Sequence, residues 1–154
     1  MGVEIERKFL LAGDAWRGLG QAVLLRQGYL SSARERVVRV RIEGEQAMLT
    51  IKGANVGATR GEWEYPIPLA DAAELLDGLC EQPLIEKVRH RIEHAGMVWE
   101  VDEFLGANAG LIVAEIELAS EDQPFEKPDW IGAEVSGDAR YYNANLIRHP
   151  FSQW

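Results

Sequence analysis

The chain has 154 residues, 47% of them hydrophobic and 27% charged, with a net charge of −9, which suits one domain spanning 1–154 with its own core. That acidity argues against nonspecific nucleic-acid binding, which needs an excess of Lys and Arg, and a single cysteine, Cys80, excludes an internal disulfide and a thiolate metal cluster. No apolar run reaches membrane-spanning length and nothing resembles a signal peptide, so a cytoplasmic protein with no membrane or nucleic-acid partner is expected.

The first predicted element is a strand over 3–10. Alternate side chains of a strand share a face, so Glu4, Glu6 and Lys8 project together while Val3, Ile5 and Phe9 point the other way. A short helix is predicted over 14–19, followed by strands at 22–31, 36–43, 47–52 and 62–68. Asp71 is placed to cap a helix over 72–80 with Leu75, Leu76 and Leu79 as its apolar stripe. Cys80 then reads as a buried structural thiol. Strands at 84–93, 97–104 and 111–118 follow, and a capped final helix starts at Asp138 and ends near Arg148, before Pro150. The connections are short and glycine-rich, at Gly44, 53–61, 94–96 and 106–110, which implies antiparallel pairing.

The charged faces continue along the chain. Arg39 and Arg41 alternate with Val38, Val40 and Ile42; Thr50 and Lys52 with Leu49 and Ile51; Glu62 and Glu64 with Trp63 and Tyr65. Downstream, Lys87, Arg89 and Arg91 alternate with Val88 and Ile92, Glu100 and Asp102 with Trp99 and Val101, and Glu115 and Glu117 with Ala114, Ile116 and Leu118. An ordinary half-exposed sheet alternates too, but its polar face mixes Thr, Ser and Gln with charges. These faces are almost purely ionisable and set like charges side by side, which is unfavourable unless opposite charge lies among them. The economical solution is a sheet curled so that the charged faces line a wet cavity, with Val3, Ile5, Trp63, Trp99 and Ile116 outward beneath helices or a second subunit.

In that context, Glu4-Ile-Glu-Arg-Lys8, Arg26-Gln-Gly-Tyr-Leu30, Arg39-Val-Arg41, Leu49-Thr-Ile-Lys52-Gly53, Lys87-Val-Arg89, Trp99-Glu-Val-Asp102, Ala114-Glu-Ile-Glu-Leu118 and Arg140-Tyr-Tyr-Asn143 resemble, in order and almost end to end, the CYTH superfamily of triphosphate tunnel metalloenzymes. The resemblance implies a mainly β fold, an eight-stranded antiparallel β-barrel forming a tunnel with a few flanking helices, whose members hydrolyse or cyclise triphosphates with a divalent metal. It implies that Glu4, Glu6, Glu115 and Glu117 hold Mg²⁺ or Mn²⁺, two ions in all, with Asp102 as a further carboxylate. It also implies that Lys8, Arg39, Arg41, Lys52, Lys87 and Arg89 bind phosphate and that Tyr29 is a tunnel-mouth tyrosine. Arg91, Glu62 and Glu64 share those faces and complete the substrate-binding set, while Glu100 or Asp102 is expected to accept a proton from the attacking water and Lys8 to reach the phosphate.

The chemistry suits those residue types. Eight acids and seven bases make the empty lining nearly neutral, and two divalent ions turn it positive enough for a polyanion. Arginine forks grip nonbridging oxygens, and paired carboxylates are hard ligands for Mg²⁺. His90 and His94 fall on a strand and hairpin with no companion ligand and read as packing or surface. Gly53-Ala-Asn-Val-Gly57 lacks the Gly-Lys-Ser/Thr ending of a nucleotide-binding loop. Among the reactions of the superfamily, the brevity of the chain points to hydrolysis of inorganic tripolyphosphate to pyrophosphate and phosphate. The alternatives are adenylyl cyclase, a thiamine or nucleoside triphosphatase, and a noncatalytic polyphosphate- or nucleotide-binding module. A homodimer is compatible with a tunnel wall that lacks helical cover.

Overall fold

The computed structural model describes residues 2–154. Its strands are β1 (Gly2–Leu11), β2 (Gln21–Ala33), β3 (Arg36–Glu43), β4 (Gln46–Lys52), β5 (Thr59–Pro66), β6 (Ile85–His94), β7 (Met97–Phe104), β8 (Ile112–Glu117) and β9 (Ile131–Glu134), with helices α1 (Leu69–Gly78) and α2 (Asn143–Leu146). Neighbours run β5-β4-β3-β2-β6-β7-β8-β1-β9, and β1 also pairs with β5, closing eight strands into an antiparallel barrel. Closure removes the unpaired edges that an open sheet would expose. One edge of β1 is shared: Gly2 to Ile5 pair with β5, while Phe9 and Leu11 pair with β9, and Glu6 to Leu10 use the other edge for β8. Between β6 and β7 a two-residue loop puts both Ala95 (φ 51°) and Gly96 (φ 79°) in the left-handed region, as a twist-matched hairpin turn demands.

The apolar residues form three clusters. Phe9, Trp16, Trp99, Ile116 and Trp130 pack on the outside of the barrel beneath the segments that follow β1 and β8, with edge-to-face contacts such as Phe9 to Trp99 at 5.5 Å. A second cluster fits α1 against β3 and β4 through Val40, Ala47, Ala72, Leu76 and Cys80. The third is of a different kind. Val37, Ile85, Phe104 and Val113 lie on the same strand faces as Arg39, Lys87, Asp102 and Glu115, two residues along, so the inward face turns apolar at one end of the barrel. Tyr141, Leu146 and Ile147 of the C-terminal segment close over that end.

Several sequence expectations change. Residues 14–19 form consecutive turns rather than a helix, with Arg17 N–H donating to the Asp14 carbonyl and Leu19 N–H to that of Trp16. The first helix starts earlier, at Leu69 after Pro68, whose fixed φ suits a helix start; Asp71 lies inside the first turn and makes no cap hydrogen bond. It also ends earlier, leaving Cys80 beyond the helix, buried, and Leu79 70% exposed. The final helix breaks in two because Tyr142 is extended (φ −71°, ψ 129°), separating a 3-10 turn over Ala139–Tyr141, capped by Asp138, from α2. β9 has too little alternation in four residues to be seen in sequence and is defined by its pairing with β1. Of the outward residues, Trp99 and Ile116 are buried, Trp63 covers Gly61 of its own strand, and Val3, on the β1–β5 wall, stays 55% exposed. Among the described residues no helix is long and apolar enough to cross a membrane.

Candidate active site

The ring order sorts the charges. β7, β8, β1 and β5 are consecutive around the barrel and contribute Glu100, Glu115, Glu117, Glu4, Glu6, Glu62 and Glu64; β4, β3, β2 and β6 complete it and carry Lys52, Arg39, Arg41, Lys87, Arg89 and Arg91. The result is an acidic wall facing a basic wall across a cavity of about 490 Å³. Lys8 and Arg60 are the cations on the acidic side. Cross-strand register sets the pairs: Glu6 lies opposite Glu117, Lys8 opposite Glu115, and Glu100 opposite Glu115.

Ion pairs between adjacent and next-but-one strands link the lining residues. Lys52 Nζ sits 2.7 Å from Glu4 and 3.5 Å from Glu62, Lys8 Nζ 3.5 Å from Glu115, and Arg39 3.6 Å from Glu64. At the far rim Arg91 meets Glu100 at 3.1 Å and Glu43 at 2.9 Å. Tyr29 is 3% exposed and its hydroxyl accepts a hydrogen bond from Gln27 Nε2 at 3.0 Å. It therefore lines the cavity from within the apolar end rather than from an open mouth, and burial raises its pKa, keeping the hydroxyl neutral.

Asp102 requires a correction. It shares the strand face of Glu100, but it lies beneath the lining, 1% exposed, with Arg89 Nε and Nη2 donating to its two oxygens at 2.8 and 2.9 Å and Lys87 Nζ at 2.8 Å. Burial pushes its pKa up, yet the two cations outweigh burial and hold it far below the usual carboxylate range. Three donors from two cations occupy most of the acceptor sites of this carboxylate. In this arrangement Asp102 is the counterion of Lys87 and Arg89.

The acidic wall carries strain of another kind. Burial raises the Glu6 pKa well above normal, and the charges of Glu115 and Glu4 add to the effect. Glu62 is raised to about 7, first by its hydrogen bond with Glu4 and then by burial. Glu4 is lowered instead: burial opposes its ionisation, but the Glu62 hydrogen bond and the Lys52 charge prevail. The two carboxyls oppose each other's ionisation, so Glu4 and Glu62 titrate as a pair. Crowded carboxylates that retain protons are a donor set short of positive charge, which is the chemistry a divalent cation satisfies. Glu4, Glu6, Glu115 and Glu117 fit that role. Among the described residues no three metal-ligating side chains converge on one point.

On the basic wall, burial lowers the Lys87 pKa to about 7 despite Asp102. Several lining residues escaped the sequence reading. Arg60 belongs to the face of Glu62 and Glu64, a signal hidden by starting the fifth strand at 62 when β5 begins at Thr59. Arg34, in the β2–β3 turn, and Ser136, Tyr142 and Asn143, from the C-terminal segment, also reach the cavity. Arg34, Ser136 and Tyr142 lie outside regular elements, where no periodicity marks direction, and Asn143 opens the four-residue α2, too short to show a period. His90 is a packing residue, edge-on to Trp16 at 5.0 Å.

Comparison with known proteins agrees with this geometry. Residues 2–150 match the model of the CYTH domain family. The chain is 51% identical over 154 residues to an inorganic triphosphatase of Acetivibrio thermocellus, covering 100% of this chain and 99% of that one. It is 38% identical over 147 residues to an inorganic triphosphatase of Nitrosomonas europaea, covering 93% and 95%. A crystal structure of an inorganic triphosphatase superposes with a TM-score of 0.67 at 36% identity, covering 94% of this chain and 97% of that one. A putative adenylate cyclase of Bacillus halodurans shares the fold, with a TM-score of 0.60 at 18% identity over 79% of this chain and 84% of that one.

Proposed function

Since the chain belongs to the CYTH domain family, we propose that it is a metal-dependent hydrolase that cleaves inorganic tripolyphosphate to pyrophosphate and phosphate. The observation that carries this reading is the division of the cavity into an acidic and a basic wall. A linear polyanion would fit between them, gripped by cations on one side, while the carboxylates on the other would hold divalent ions that neutralise its charge.

The basic wall binds. Arg39, Arg41 and Arg89 offer planar forks to nonbridging oxygens and Lys52 and Lys87 offer point charges, with Lys8 reaching across from the acidic side. Glu4, Glu6, Glu115 and Glu117 are the proposed ligands for two Mg²⁺ or Mn²⁺ ions. When bound, such ions supply Lewis-acid neutralisation of the phosphate oxygens. Glu100, a lining carboxylate opposite Glu115, accepts the proton of the attacking water. Glu62 and Glu64 anchor Lys52 and Arg39 from the opposite strand, so these two glutamates orient phosphate-binding cations. Tyr29 donates its neutral hydroxyl to a phosphate oxygen. Phosphoryl transfer asks mainly for in-line placement and charge neutralisation, which the two walls supply.

The test is phosphate release from tripolyphosphate, ATP and thiamine triphosphate with Mg²⁺, Mn²⁺ or neither. Metal-dependent turnover fastest on tripolyphosphate supports the reading. Tight binding without turnover would make the chain a sensor or scaffold, and cyclic AMP from ATP a cyclase.

A further inference from the structure

Arg41 differs from the other arginines of the basic wall. Arg39 has Glu64 at 3.6 Å, Arg89 has Asp102 at 2.8 Å and Arg91 has Glu43 at 2.9 Å, whereas among the described residues no carboxylate lies within ion-pair distance of Arg41. What holds it is a neutral amide: Arg41 Nε donates to Gln27 Oε1 at 2.8 Å. Gln27 is 1% exposed, and its Nε2 is engaged too, donating to Asn143 Oδ1 at 3.3 Å and to the Tyr29 hydroxyl at 3.0 Å. Asn143 Oδ1 in turn accepts from Lys87 Nζ at 2.8 Å.

We propose that Gln27, anchored by Asn143, is a positioning residue that aims Arg41 into the cavity while leaving its charge uncompensated. Only an amide can do both. An amide oxygen fixes Nε and leaves the two terminal guanidinium nitrogens, which have no partner among the described residues, for a phosphate fork. A carboxylate at the same place would satisfy the geometry but neutralise the charge that the substrate must meet. The amide cannot flip, because its nitrogen faces two acceptor oxygens and its oxygen faces a donor. Through Asn143 the arrangement ties the C-terminal segment to both Arg41 and Lys87, so seating of that segment and orientation of the basic wall are one event.

This inference rests on the triphosphatase reading for its kinetic consequence but not for its geometry, and the experiment separates the two. Gln27→Glu, Gln27→Met and the partly exposed Asn143→Ala are compared with the parent chain by melting temperature, by the Arg41 Nε–H signal in a ¹⁵N spectrum without substrate, and by KM and kcat on tripolyphosphate with Mg²⁺. Gln27→Glu, isosteric and able to keep the Arg41 contact, should retain the Nε–H signal yet raise KM about tenfold with kcat within about twofold, the pattern of lost uniform binding. Gln27→Met should lose the protected signal and raise KM, and Asn143→Ala should raise KM about threefold, the smaller effect of loosening the anchor. A Gln27→Glu chain with the parent's KM, or a protected Arg41 signal in Gln27→Met, overturns the positioning role. If the parent itself fails to turn over tripolyphosphate, the functional reading falls, while the Nε–H comparison still decides the geometry.

Discussion

Replacing Asp102 with Asn distinguishes a buried counterion from a catalytic base. Asp102 is 1% exposed and neutralises two cations at once, Lys87 at 2.8 Å and Arg89 at 2.8 and 2.9 Å. Asn fits the space but leaves both positive charges facing each other, and breaking a buried pair in this way costs about 3–5 kcal/mol. With a melting temperature that moves ~2–4 °C per kcal/mol for a chain of this size, the expected loss is about 6–20 °C. Lys87, already lowered to about 7 by burial with Asp102 present, should lose its proton at neutral pH in the variant. The assay pairs thermal unfolding monitored by circular dichroism, with and without tripolyphosphate, with steady-state turnover. A polyanion substitutes for the missing counterion, so tripolyphosphate should raise the melting temperature of Asp102→Asn more than that of the parent chain. The reasoning would be refuted by a variant that melts within about 2 °C of the parent and keeps its KM while kcat collapses, since that is how a lost general base behaves.

Glu6→Gln should melt as high as the parent and yet abolish metal-dependent turnover, because Gln mimics a carboxyl that burial already favours protonated; full activity in Mg²⁺ would remove Glu6 from the ligand set. Lys87 sets a pH dependence of stability. Its folded pKa of about 7 lies below the ordinary value of 10.5, so between those limits the unfolded chain binds the extra proton and stability rises with pH. Urea midpoints of the parent and Lys87→Met at pH 6.5, 8 and 9.5 test this, and equal pH slopes would contradict it. Arg60→Ala should raise KM for tripolyphosphate roughly tenfold, about 1.4 kcal/mol, at unchanged melting temperature, whereas an unaltered KM would place Arg60 outside the substrate's reach. Ala95→Gly should stabilise the chain by about 1 kcal/mol, since a Cβ at φ 51° costs ~1–2 kcal/mol; a lower urea midpoint would argue that the turn is not strained.

Period-two alternation is a local property, written in consecutive residues, and by itself it determined that Glu4, Glu6, Lys8, Arg39, Arg41, Lys87, Arg89, Glu115 and Glu117 face one way and that their neighbours face the core. The eight barrel strands were legible for that reason, the charged faces pointed to a sheet curled around a wet cavity, and the closed eight-stranded barrel was what the family resemblance implied. Three features depended on the tertiary structure. Ring order decided which charges confront one another: β1, first in the chain, lies between β8 and β5, so its glutamates join those of distant segments in an acidic wall that no stretch of sequence contains. Depth decided Asp102, which shares a face with Glu100 but lies two residues further along β7, opposite Arg89 and toward the apolar end of the lumen. Contacts from irregular segments decided Arg34, Tyr142 and Asn143. A loop side chain has no period to give its direction, and only the packing of the C-terminal segment over the barrel brings Asn143 within 2.8 Å of Lys87.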